Sequence, residues 1–284
     1  MRIKEFNPNM TLARFENVFD FINFVRKGVD NDNYSVYYHR KKFCKDDFET
    51  AVKNAALGKI SIDKLKMDSV KSSITEIFPS TEIIPVFDVT GNWLDIDRFL
   101  SGEPECFCSE QENPSKENLT IGVSISASWN VRQEDLENRA IWIAQTTDFL
   151  SQYYNVSVKL YCYLSDLPHY FEERVHNSIL TEIPVSAIPL DTRTIVKACS
   201  ASFLRRLIFG ELEIIANEKS LSRYRYGTVD DILAPVIQGR MLYFPSSRRL
   251  DTYVFSGPTD YVKEIIERAI KELNEGQRFV IVKP

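Results

Sequence analysis

Leu119-Thr-Ile-Gly-Val-Ser-Ile-Ser-Ala-Ser128 is the stretch whose reading decides the fold. It is a β-branched run ending in small hydroxyl residues, the composition of a strand. Asp135 to Tyr153 then carries Leu136, Ala140, Ile143, Ala144, Thr147 and Leu150 at helical spacing. Val156 to Leu164 returns as a strand, and Ile183 to Leu190 reads as another. Strands alternating with helices predict a parallel sheet with helices over it. The fold class expected is therefore α/β, a mostly parallel sheet covered by helices. In such sheets the ligand crevice lies beyond the carboxyl ends of the strands.

Working outward, the first hundred residues read as a separate layer. Phe15, Val18, Phe19, Ile22 and Val25 form one helical stripe, with Gly28 as its expected stop. Phe43 to Leu57 repeats the pattern, with Asp46 or Asp47 near its start and Gly58 at its end. Ile83 to Thr90 reads as a strand, Thr90-Gly91-Asn92 as a turn, and Trp93 to Asp97 as a strand or short helix. Pro104 and the polar segment Ser109 to Asn118 make the best boundary in the chain. They divide it into an N-terminal α+β region, 1–108, and an α/β domain, 119–284. Beyond Asp191, the longest helix is expected over Thr194 to Asn217, capped by Asp191 or Thr192. Arg240 to Phe244 and Asp251 to Phe255 read as short strands, Thr259 to Leu273 as an amphipathic helix, and Phe279 to Val282 as a closing strand.

Composition narrows the function classes. The sequence contains no apolar run of membrane-spanning length, and its first residues lack the apolar core of a secretory signal. Five cysteines, at 44, 106, 108, 162 and 199, make a poor disulfide framework and point to reduced, inert thiols. Cys106-Phe-Cys108 is the only close pair, and zinc needs a second pair that is missing. There is no Walker loop and no Gly-x-Gly-x-x-Gly, and ten glycines are sparse for a phosphate cradle. Three histidines, at 39, 169 and 176, leave little material for acid–base work. No cofactor is expected.

Charge is unevenly distributed. The net charge of −5 disfavours nonspecific binding to nucleic acid by the whole surface. Glu103 to Glu117 is acidic, whereas Lys197 to Arg249 is rich in bases, among them Arg205, Arg206, Arg223, Arg225, Arg240, Arg248 and Arg249. That basic stretch would either bind phosphate or pair with the acidic one. Tyr224, Tyr226, Tyr243, Phe244, Tyr253 and Phe255 mix with its arginines, the composition of interface hot spots, although packing into the sheet would use the same residues. Arg205, Arg206, Arg223, Arg225, Arg248 and Arg249 are the candidate interaction residues.

Asp166 and Asp191 each follow an expected strand, which would place them at the same edge as Ser124, Ser126 and Ser128. Two carboxylates among hydroxyls can collect a hard cation. Helix capping and turns use the same residue types.

Two segments resemble a family of uncharacterised tailed-bacteriophage proteins. One is Val89-Thr-Gly-Asn-Trp-Leu-Asp-Ile-Asp-Arg-Phe-Leu-Ser-Gly-Glu-Pro-Glu-Cys106; the other is Ser202-Phe-Leu-Arg-Arg-Leu-Ile-Phe209, where Ser200-Ala201 replaces that family's usual His-Pro. The opening Phe15 to Val25 segment is similar too. The resemblance implies a phage-encoded protein, acting in the cytoplasm of a bacterial host or carried in a virion. At the level of fold, Ser124-Ile-Ser126-Ala-Ser128 and the helix after it resemble the first loop of von Willebrand factor A domains, which hold a divalent cation on Asp-x-Ser-x-Ser. Here the first position is Ser124, so the carboxylate is absent. Ser126, Ser128, Asp166 and Asp191 are the candidate ligands at this edge, with His169, His176 and Glu172 or Glu173 as another set whose ordinary reading is a surface helix, and no metal is expected. The function expected is non-enzymatic, through a protein partner or self-association and away from membranes, with a nucleic-acid-binding role for 197–249 as the alternative.

Overall fold

The strand read from Leu119 is the centre of the molecule, Asn118–Ser124, paired on both sides by parallel neighbours. The computed structural model describes residues 2–7, 10–30, 46–57, 64–77, 86–90, 93–109, 117–127, 131–165, 178–185, 192–200, 202–218, 239–245 and 259–282. In chain order the elements begin with β1 (Arg2–Asn7), β2 (Met10–Arg14), α1 (Val18–Asp30), α2 (Phe48–Leu57) and α3 (Lys64–Ile77). β3 (Val86–Asp88), β4 (Trp93–Leu94), α4 (Ile96–Leu100) and β5 (Phe107–Ser109) follow. The centre is β6 (Asn118–Ser124), α5 (Gln133–Leu150), β7 (Asn155–Ser165) and β8 (Ser178–Val185). Then come α6 (Thr192–Ala198), a π-helical stretch (Phe203–Ile208), α7 (Phe209–Glu218), β9 (Met241–Phe244), α8 (Thr259–Asn274) and β10 (Phe279–Ile281).

The large sheet has the order β1-β2-β8-β7-β6-β9-β10. β7, β6, β9 and β10 run parallel, with α5 crossing between β6 and β7 and α8 between β9 and β10. The α/β class and the mostly parallel sheet are as expected. One join departs from the expectation: β8 lies at Ser178–Val185, earlier than read, and pairs antiparallel with β7. The alternation had been extended one strand too far, because an apolar run such as Ile183 to Leu190 carries no mark of direction.

The proposed division at 108–119 also needs correction. β2 pairs parallel with β8, so the N-terminal strands complete the large sheet. Phe15, Phe21, Val25, Val52 and Ile74 lie in one continuous core with Ile121, Ile143, Leu207 and Ile266. Among the described residues, β3, β4 and β5 form a separate three-stranded sheet of order β3-β5-β4. The polar segment after Ser109 does end a structural unit, but a much smaller one.

Two helix boundaries differ for identifiable reasons. Gly28 does not stop α1, which runs on to Asp30. A Cβ there would collide with Cδ1 and Cγ1 of Ile214 on α7, so the glycine lets two helices approach closely. The long helix expected from Thr194 breaks after Ala198 and resumes through π-helical geometry at Phe203–Ile208. The Ser202 hydroxyl contacts the Asp46 carboxylate and Arg206 Nε donates to the Asp46 carbonyl at 2.7 Å, docking the distorted turn on the start of α2. The strand expected over Asp251 to Phe255 lies outside the described residues.

Because the α1–α7 contact has no room for a side chain, Gly28→Val should overpack it by about 1–3 kcal/mol. Chemical denaturation should show that loss, and Ile214→Ala in the same background should recover part of it. Full additivity of the two substitutions would mean that the helices do not meet there.

Candidate functional site

The sheet edge named by the fold rule is the first place to look. At the carboxyl ends of β6 and β9, Arg139 of α5 is buried, and its Nη2 donates to the carbonyls of Ser124 (3.0 Å), Phe244 (3.3 Å) and Pro245 (2.7 Å). The crevice expected beyond these strands therefore holds a side chain of the protein itself. Ser124 and Ser126 are both buried. The Ser126 hydroxyl lies 3.3 Å from Cys162 Sγ and accepts from the Tyr163 backbone N–H, so it binds the neighbouring strand instead of facing an ion. Ser128, Asp166, Asp191 and the histidines 169 and 176 lie outside the described residues. Among the described residues, no group of three or more His, Cys, Asp or Glu is gathered as a metal site.

The basic stretch is largely committed to the fold wherever it is described. Lys197 and Arg206 are buried. Arg205, half-buried, donates to the Val131 carbonyl at 3.1 Å. Arg240 pairs with Glu117, donates to the Leu273 carbonyl at 2.6 Å, and stacks 5.4 Å above the Tyr154 ring. Glu117 and Arg240 thus join the acidic and basic stretches, one of the two arrangements their composition allowed. Tyr243 and Phe244 are buried in the sheet. Arg206 accordingly serves packing and is unavailable at a surface; Arg223, Arg225, Arg248 and Arg249 lie outside the described residues.

A surface feature that sequence reasoning missed lies in the small unit. Asp95 caps α4, its carboxylate accepting from the Asp97 and Arg98 backbone N–H groups, while Asp95 N–H donates to the Cys106 carbonyl. Ser101 and Gly102 close the other end, Gly102 at φ 73°. A helix this well held would ordinarily bury its apolar side. Ile96, Phe99 and Leu100 sit at i, i+3 and i+4, one face of the helix, yet are 65%, 56% and 76% exposed. Leu94 before them and Val89 in the preceding turn are exposed as well. Fully burying each such side chain would contribute about 1.5–3 kcal/mol, so folding leaves that stabilisation unused here. The sequence signal was present in Ile96, Phe99 and Leu100, but helical apolar spacing is read by default as a core-facing stripe.

The sequence model of a family described as a domain of unknown function (DUF7192) matches residues 3–268. The chain belongs to that family. The match runs from β1 into α8, so it takes in the N-terminal strands, the small sheet and the β6–α5–β7 crossover, and stops before β10. No curated protein and no solved structure matches the chain. Among the described residues, no helix is long and apolar enough to cross a membrane.

Inside the span of the DUF7192 match lies a buried carboxyl with a neutral partner. Glu211 of α7 has no exposure, and the Thr181 hydroxyl of β8 lies 2.9 and 3.1 Å from its two oxygens. Burial raises its pKa from the ordinary 4.5 to about 8, partly offset by the Thr181 hydrogen bond. Burial also raises the Cys162 and Cys199 thiols, to about 12 and about 11, which keeps them protonated and unreactive. The Tyr161 hydroxyl is pushed up by burial and by the nearby Glu182 carboxylate. That carboxylate is held between Arg14 at 3.1 Å and Lys159 at 3.4 Å.

The pH dependence follows from Glu211. Below pH 4.5 its carboxyl is neutral in both folded and unfolded chains, and its contribution to stability is fully present. Between 4.5 and 8 the unfolded chain releases a proton that the fold retains, so stability falls as pH rises; above 8 the loss is complete. The total is on the order of a few kcal/mol. Denaturation of Glu211→Gln across this window should show a flatter profile than the parent chain. An unchanged slope would mean that Glu211 is already ionised in the fold.

Proposed function

We propose that the chain is a non-enzymatic accessory or virion-associated protein of a tailed bacteriophage, acting through contact with another protein. One observation carries the reading: a rigidly capped helix presents Ile96, Phe99 and Leu100 to solvent. Apolar patches of this kind on an ordered surface mark interaction sites. The phage assignment rests on the resemblance of Val89–Cys106 and Ser202–Phe209, and the first of these segments carries α4. Such a protein would act in the host cytoplasm or within the virion. The strand–helix–strand unit of β6, α5 and β7, with hydroxyls at the end of β6, supports a von Willebrand A-like fold used as a scaffold.

The nucleic-acid reading has less to draw on, because Lys197, Arg205, Arg206 and Arg240 are buried or bonded within the fold. A photo-crosslinking residue at position 100, in the chain produced in its bacterial host, should give a protein adduct that is absent when the same residue replaces exposed Glu264 of α8. Purified protein should give no gel shift with DNA or RNA even at low salt. A shift that weakens steeply with salt, without a protein adduct at position 100, would replace this reading with the nucleic-acid one.

A further inference from the structure

The charge around the exposed face of α4 narrows what it fits. Residues 86–109 carry Asp88, Asp95, Asp97, Glu103 and Glu105 against Arg98 alone. The Arg98 charge is already engaged, since its Nε donates to Glu103 Oε2 at 2.6 Å. Asp95 is occupied in capping. Asp97, beside Ile96 on α4, and Asp88 and Glu105 of the same small unit remain exposed. Building on the reading of this face as an interaction surface, we infer that it takes a basic amphipathic helix of a different protein, with aliphatic residues at i, i+3 and i+4 flanked by Lys or Arg.

Three physical points select that occupant. A helical stripe is matched by side chains at helical spacing, the helix-on-surface mode of recognition. The acidic charge of the unit attracts bases and repels phosphate, which sets nucleic acid and anionic lipid against the site. A second copy would bring the same acids to a symmetric contact, so Asp97 and Glu105 would face like charge. The caps at Asp95 and Ser101 hold the stripe before binding, which lowers the ordering cost of association.

The test uses the full chain and two synthetic amphipathic helices, one of leucine and lysine and one with glutamate in place of every lysine, followed by fluorescence anisotropy. The lysine peptide should bind, more weakly as salt rises, and the glutamate peptide should not. Ile96→Ser/Leu100→Ser and, separately, Asp97→Lys/Glu105→Lys should each weaken binding by about tenfold or more, while Glu264→Lys on α8 should leave it unchanged. None of the α4 residues is buried, so melting temperatures should hold and report that the variants fold. Equal binding of both peptides, lost in the serine variant, would overturn the charge inference while leaving α4 an interaction face. Lysine-peptide binding that survives the serine substitutions, or no binding at all, would overturn the inference too. So would a dimer, seen by light scattering, that Leu100→Ser dissociates, since a second copy would then be the occupant. A protein adduct at position 100 combined with any of these failures separates the loss of this inference from the loss of the interaction reading.

Discussion

At the seam between β6 and β9 the Arg139 guanidinium adds a buried side-chain tie to the parallel ladder of the two strands. β6 hands the chain through α5 to β7 on one side, whereas β9 and α8 lead to β10 on the other. At the β6–β9 seam, the strand ends leave the carbonyls of Ser124, Phe244 and Pro245 to be satisfied by something other than the ladder. Desolvating a charge costs several kcal/mol, and hydrogen bonds from a charged donor return about 1.5–3 kcal/mol each, so the two N–H groups of Nη2, shared among three carbonyls, offset part of that cost. The arrangement is stable only while all three remain in place, and it occupies the edge at which an open α/β sheet would otherwise offer a crevice.

Placing Arg139 at that seam constrains α5, which lies against the sheet while α3 and α6 pack on it from outside. Fourteen of its residues are buried, polar ones among them, including Gln145, Thr146 and Thr147. Thr147 resolves its hydroxyl by donating to the Ile143 carbonyl at 2.7 Å. A helix enclosed on all sides has no polar face, which is why its apolar pattern identifies a helix but not a direction of burial. The same enclosure reaches Glu211, where α7 meets β8 and the Thr181 hydroxyl donates to the carboxyl. The core thus holds Thr147 and Glu211 by pairing them with a nearby carbonyl or hydroxyl, at the expense of tying them to the fold.

How much of this was legible depended on whether the signal was local. β6, α5 and β7 were readable within a few residues because the period of each segment and the crossover rule are properties of neighbouring residues. The join of β2 to β8 was not, since pairing partners more than a hundred residues apart leave no mark in either strand; β8 pairs with nearby β7, but an apolar run carries no mark of its direction. Gly28 carried the right emphasis for the wrong reason: the residue type signals either a helix end or a close approach, and only Ile214, far away in sequence, decides between them. Ser126 was correctly placed at the end of β6, but its bond to Cys162 on β7 depends on sheet register, which composition does not encode. Arg206 was read as an interaction residue because a charged side chain is usually exposed; the carbonyl of Asp46 that buries it arrives from another element.

The exposed face of α4 is the reverse case, a local pattern whose meaning is set by what is missing around it. Ile96, Phe99 and Leu100 have the spacing of a core stripe, and Asp95, Gly102 and the Arg98–Glu103 pair give the helix its order while none of its own residues is buried. Order that does not come from burial has to come from capping and local ion pairs, which contribute only about 0.5–2 kcal/mol each. A five-residue helix can therefore hold its shape and still leave its largest apolar side chains in water, a combination that a folding requirement alone would not produce. The buried Arg139 seam and the uncovered α4 stripe divide the chain's work. One commits a buried charge to the strand ends of the sheet, and the other leaves apolar groups in water.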